Sequence, residues 1–123
     1  MIRGVVNAIH EAVVVLRLRG PSGIEVQVDA LIDTGFDDQL VLPTSTIIAL
    51  GLKLRSTSAA ILADGSVKQF DYFDADVEWL GTWRSILVAS VGDHALMGMQ
   101  MLAKHELRIE VAPGGTVEIS PLA

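Results

Sequence analysis

The chain contains no cysteine. That absence excludes disulfides, thiolate metal sites and a cysteine nucleophile together, and it leads us to expect a reducing, cytoplasmic setting. Basic residues are few, nine Lys and Arg against fifteen Asp and Glu, for a net charge of −6. The longest basic cluster, Arg-Leu-Arg at Arg17–Arg19, is too small to neutralise a phosphate backbone, so nucleic acid is not an expected partner. No apolar run approaches the roughly 20 residues of a membrane helix. The N-terminal stretch is broken by Asn7, His10 and Glu11 before a signal-peptide core can form, so no membrane partner is expected either. His10, His94 and His105 stand in no metal-ligand spacing. No Gly-rich phosphate loop follows an apolar run, and neither Ser45 nor Ser90 sits in a nucleophile elbow. We therefore expect no metal and no cofactor.

Half the residues are hydrophobic and a fifth charged, the balance of a folded chain rather than a disordered one. At 123 residues it reads as a single domain spanning 1–123, large enough to bury a core. Alternation with period 2 dominates. Val26, Val28, Ala30 and Ile32 share one face while Glu25, Gln27 and Asp29 share the other, the pattern of a half-buried strand. Leu16 and Leu18 alternate with Arg17 and Arg19 just before it, and Gly20–Gly23 joins the two as a hairpin. Asp71, Asp74, Asp76 and Glu78 are read as a solvated strand face and not a calcium site, because Phe73, Ala75, Val77 and Trp79 alternate with them. Leu107 and Ile109 begin another strand, and the turn Pro113–Gly115 leads into Val117 and Ile119. Two short helices are expected: one after Pro43, with Thr44 as N-cap and Gly51 as its stop, and one after Gly98.

One segment breaks this apolar regularity. In "ALIDTGFDDQLVLP" (Ala30–Pro43) a strand runs into Asp33-Thr34-Gly35, with Asp37 and Asp38 following. Burying an unpaired carboxylate costs on the order of several kcal/mol. Asp33 thus either turns a corner and caps its own loop or is a reacting group. As an active-site loop, Asp33 supplies a carboxylate for acid–base chemistry, the Thr34 hydroxyl can donate and accept, and Gly35 lets the backbone turn and approach closely.

The segment "LIDTGFDDQLVLP" resembles the active-site segment of retropepsin-like aspartic proteases. "ALMGMQML" (Ala95–Leu102) is similar to that family's second signature, an apolar strand that passes behind the catalytic loop and ends in a glycine opening a short helix. Between them "AAILADGSVKQF" carries Asp64-Gly65, a preferred two-residue hairpin turn, where the family has its flap. The resemblance covers the chain from about Val28 to Glu106.

It implies an all-β, retropepsin-like closed barrel or sandwich with a flap hairpin and one or two short helices. It implies an aspartic endopeptidase in which Asp33, Thr34 and Gly35 form the catalytic loop, Asp37 and Asp38 line the substrate cleft, and Ala63, Asp64 and Gly65 form the flap tip. Aspartic proteolysis needs two facing carboxylates, yet the chain holds one Asp-Thr-Gly. The implied enzyme is therefore a homodimer acting on a peptide or protein substrate, joined mainly through its terminal strands and Asp-Thr-Gly loops. Two departures stand out. Phe36 replaces a small residue, so its ring either narrows the cleft or packs beneath the loop. Met99 and Gln100 stand where family members often place Arg and Asn, leaving Asp37 without a cationic partner. Two other readings stay open: a retropepsin-fold module that binds peptides without cutting them, and an unrelated small β-barrel with a chance Asp-Thr-Gly.

Overall fold

A computed structural model describes residues 1–123, and its strands fall where apolar and polar side chains alternate. In order the chain forms β1 (Ile2–Val6), β2 (Ala12–Arg19), β3 (Glu25–Ile32), β4 (Leu40–Leu42), α1 (Thr44–Leu50), β5 (Lys53–Ile61), β6 (Val67–Trp79), β7 (Thr82–Ser90), β8 (Ala95–Met97), α2 (Met99–Leu102), β9 (His105–Ile109) and β10 (Thr116–Pro121). Six strands close in the order β2, β6, β7, β4, β8, β3 and back to β2. The fold is all-β, a closed barrel and not a two-sheet sandwich, with two short helices. Beyond β2 the sheet continues as a strip of β1, β10 and β9.

The closing seam is short: Leu18 lies opposite Val77 and Arg19 opposite Asp76. Its inner side is apolar, with Leu18 and Val77 wholly buried in a cluster that also takes in Val88, Met97 and Ile119. Outside, Arg17 pairs with Glu78 at 2.8 Å and Arg19 with Asp76 at 3.1 Å. Both guanidiniums also lie over the Trp83 ring, at 5.1 and 4.2 Å. Solvated ion pairs of this kind contribute at most about 1 kcal/mol each, so the buried side of the seam carries the closure.

Three hairpin turns share one geometry. In Asn7–Glu11, Gly20–Ile24 and Leu62–Ser66 the first residue's N–H donates to the fifth residue's carbonyl, and the fourth residue's N–H donates back to the first. The fourth position is left-handed, with Gly23 at φ 89°, Gly65 at φ 84° and His10 at φ 64°. The Asp64-Gly65 turn is thus a three-residue loop, Ala63–Gly65, and not the two-residue turn its sequence suggested. A left-handed glycine corrects the strand twist after an ordinary type I turn. At His10 the conformation costs roughly 1–2 kcal/mol. The Asn7 carboxamide offsets this by accepting the Ile9 and Glu11 N–H groups.

The helices also differ in detail from expectation. Thr44 is the first helical residue and caps nothing; its hydroxyl instead pairs with that of Ser90 at 2.9 Å. Gly51 does close α1, at φ 63°. The second helix is a single turn, because Met101 and Leu102 are already buried and His105 is claimed by β9. Both terminal strands are paired within the chain: β10 lies between β1 and β9, and β1 between β10 and β2. Neither therefore offers a free backbone edge to a second copy. Val117 and Ile119 are wholly buried, so β10 gains more by completing the chain's own core. The sheet's free edges are β5 and β9.

Because the seam rests on its apolar side, Leu18→Ala is expected to lower unfolding free energy by about 2–5 kcal/mol. Arg19→Ala should cost no more than about 1 kcal/mol. Urea unfolding of the two variants checks the ranking, and the reverse order would overturn it.

Candidate active site

β3 runs parallel to β8, with Ile32 opposite Met97, and the pairing continues one residue further. The Asp33 N–H donates to the Met97 carbonyl at 2.9 Å. The chain then turns, with Phe36 N–H donating to the Asp33 carbonyl at 3.1 Å and Gly35 N–H to Asp33 Oδ1 at 3.0 Å. Asp33 therefore does cap its own loop, but with one oxygen only. Oδ2 accepts no hydrogen bond within the chain, and the side chain is half-buried beside an exposed Thr34 and Gly35.

The second signature holds this loop from behind. Gly98 N–H donates to the Gln39 carbonyl at 2.9 Å, Met99 N–H to Phe36 at 2.8 Å, and Gln100 N–H to Asp38 at 3.3 Å. A Cβ on Gly98 would collide with the Asp38 carbonyl and sit 2.6 Å from the Phe36 ring. Phe36 thus packs beneath the loop, against Gly98, rather than into the space in front of it. Gly35 differs. Its φ is not left-handed, and a Cβ there would meet only Asp33 Oδ1, at 3.3 Å. Inside the chain only the Asp33 carboxylate crowds that position.

Asp37 is exposed and its carboxylate has no partner, with Met99 and Gln100 in the place of a cation. Asp38 is turned inward. Its Oδ1 accepts the Gln39 N–H at 2.9 Å, and its carboxylate faces Tyr72 of β6. Partial burial first, then the nearby Asp38 charge, raise the Tyr72 pKa above the usual phenol value.

Asp33 and Thr34 open onto a cavity of about 360 Å³ walled by Ile32, Leu96, Ile109 and Val111. His10 and Glu11 also line it, because Val6 exchanges hydrogen bonds with Gly114 and Gly115 and so brings the two loops together. Sequence reasoning missed His10, Glu11, Ile109 and Val111 as neighbours of Asp33. Only the exposure of Val111, an apolar residue just past a strand, hints at a role, and exposure is not visible in sequence. A slightly larger cavity of about 400 Å³ lies elsewhere, between the β2–β3 turn and the root of the hairpin. Its acids are already paired, Asp76 with Arg19 and Asp74 with Arg55, so it offers no free reacting group.

Ala63, Asp64 and Gly65 form the tip of the β5–β6 hairpin and line no part of the Asp33 cavity. β6 pairs with β7 only from Tyr72 onward, so the outer hairpin is a two-stranded ribbon. Its tip carries exposed Ile61, Leu62 and Val67. Asp64 Oδ1 accepts both the hydroxyl and the N–H of Ser66, at 2.6 and 2.9 Å, which holds its carboxyl below the ordinary value.

This geometry was compared with known proteins. No protein-family model matches the chain, and no curated protein matches it. Solved structures do. The EIAV protease, in complex with the inhibitor HBY-793, superposes with a TM-score of 0.54 at 18% identity, over 78% of this chain and 88% of that one. A retropepsin-like aspartic protease from Rickettsia conorii superposes with a TM-score of 0.58 at 16% identity, over 99% of this chain and 91% of that one. The chain has the retropepsin-like fold.

Two outcomes follow from this site. Gly98→Ala should destabilise the protein by roughly 1–3 kcal/mol through overpacking and displace the Asp33 loop, read by urea unfolding and by amide shifts of Asp33–Phe36; unchanged shifts would overturn the clamp. Ionised Asp64 is the form that Ser66 stabilises, so the turn's support is complete above pH 3.8 and fades as pH falls through the lowered native value. The Asp64 carboxyl carbon should titrate in NMR below 3.8, and Ser66→Ala should move its midpoint back toward 3.8.

Proposed function

We propose that the chain is an aspartic endopeptidase that works as a symmetric homodimer, hydrolysing peptide bonds with a water held between the two Asp33 carboxylates. The observation that carries this reading is the Asp33 turn itself. Backbone bonds to β8 fix it, one oxygen is committed to the loop, and the other is left free beside an apolar cavity. Gly35 adds support: an exposed glycine crowded within its own chain only by Asp33 Oδ1 fits close approach by a second loop.

Two carboxylates brought face to face cannot both ionise, so the pair keeps one proton. The ionised member takes a proton from the water as it attacks the scissile carbonyl, and the protonated member gives one to the carbonyl oxygen. The pair titrates as a unit. Thr34 reaches across to the partner loop and holds the carboxylates in one plane. The substrate lies extended, as an added strand, between this floor and the β5–β6 hairpin acting as a flap, with Ala63–Gly65 at its tip. Its exposed Ile61, Leu62 and Val67 supply apolar surface for that closure. Asp37, unpaired and exposed, is available to substrate amides, whereas Asp38 Oδ1 is committed to the Gln39 N–H. The reading as a non-cutting peptide-binding module drew on a cleft crowded by Phe36, and the ring's position against Gly98 weakens that ground.

Asp33→Asn is expected to reduce cleavage of a mixed peptide library at acidic to neutral pH by at least about a hundredfold, with the sedimentation coefficient of the dimer unchanged. A statine-type transition-state mimic should block the unmodified protein. Undiminished cleavage by the Asn variant would refute the assignment.

A further inference from the structure

The free edges β5 and β9 are built differently. β5 opens with Lys53 and Arg55, and its pairing with β6 is broken by a bulge between Leu54 and Ser56. Charge and irregularity of this kind keep an edge from pairing with another chain. β9, His-Glu-Leu-Arg-Ile, has no lysine, no proline and no bulge. Glu110 N–H donates to Thr116 and Leu122 N–H to Lys104, so even-numbered residues face β10. His105, Leu107 and Ile109 then turn their backbone N–H and C=O groups outward, unpaired.

Charge registers along the same strip. Arg3 of β1 lies opposite Glu118 of β10, and Glu118 opposite Arg108 of β9, a row of alternating sign across three strands. It stops at the open edge, where the next position calls for an acid. We infer that β9 is the surface through which a second copy of this chain docks, antiparallel about a two-fold axis at Leu107, giving a six-stranded sheet. In that register Glu106 of each copy meets Arg108 of the other, and the alternating row runs on across the axis. His105 faces the partner's Ile109. Leu107 and Ile109 pack inward on the core, and Ile109 also walls the Asp33 cavity, so the strand that joins the copies borders the half-built site. The inference names the partner surface of that site and rests on the dimeric reading above.

Charge reversal tests it, because both side chains are exposed and Glu106 lies opposite only Ser120 in its own chain. Glu106→Arg, or Arg108→Glu, sets like charges opposite each other twice. Each should weaken the dimer at least about tenfold in sedimentation equilibrium, while the urea midpoint of Glu106→Arg, read at a concentration where the parent is monomeric, stays in place. The double reversal restores complementarity across the axis, and adding Glu118→Gln removes the like charge that Arg108→Glu meets within its own chain; that triple variant should recover the dimer. If single variants dimerise like the parent, or the triple stays weak, the β9 assignment is overturned; peptide cleavage by those dimers would leave the protease reading standing. A strict monomer at all concentrations would remove both.

Discussion

The carboxylate of Asp33 is held in place by a backbone clamp with no room for a side chain at its centre. The Asp33 N–H is bonded to Met97, and the carbonyls of Phe36, Asp38 and Gln39 receive the N–H groups of Met99, Gln100 and Gly98. The approach is close enough that a single methyl on Gly98 would strike the Asp38 carbonyl. Because main chain grips main chain, the loop's position is set by strand register and not by the rotamers of exposed side chains. A side chain on such a mount loses little freedom when a ligand arrives, which is the preorganisation that the proposed catalysis needs.

The rest of the barrel serves that clamp. β8 lies between β3 and β4, so the strand behind the Asp33 loop is an interior member of the sheet and cannot shift without disturbing two neighbours. Met97, at its end, is wholly buried. Polar interactions are kept to the outside, where Arg17, Arg19 and Trp83 stack over the β2–β6 seam. No buried side-chain polar atom is left without a partner. The stable ring and the exposed β5–β6 ribbon therefore divide the labour: one fixes geometry, and the other, paired only along a two-stranded arm, has the freedom of a marginally stable element.

The chain's edges bear on the dimer proposed above. With β10 enclosed on both sides, self-association cannot proceed by trading terminal strands without dismantling Val117 and Ile119 from the core. An open, regular β9 beside the Asp33 cavity avoids that cost. The exposed glycine at position 35, crowded within the chain only by Asp33 Oδ1, fits the close approach that the proposed dimer needs.

Much of the local structure was legible because local sequence governs it. Alternation placed β2, β3 and the second half of β6, Gly51 ended α1 with a left-handed residue, and the Asp33 and Gly98 segments could be matched to each other as signatures. The turns were legible less fully. Asp64-Gly65 announced a turn, but the third loop residue depended on how the flanking strands paired. His10 took a left-handed conformation that nothing in its residue type requires. What the chain determined by itself was the face each strand buries and the point where an acid interrupts it, since both follow from side-chain polarity at successive positions. Tertiary structure alone decided that Phe36 lies under the loop, that Asp38 turns to Tyr72, and that His10, Glu11, Ile109 and Val111 gather around Asp33. Those neighbours come from distant segments, and only closure of the barrel and folding back of the β9–β10 hairpin bring them within reach of one another.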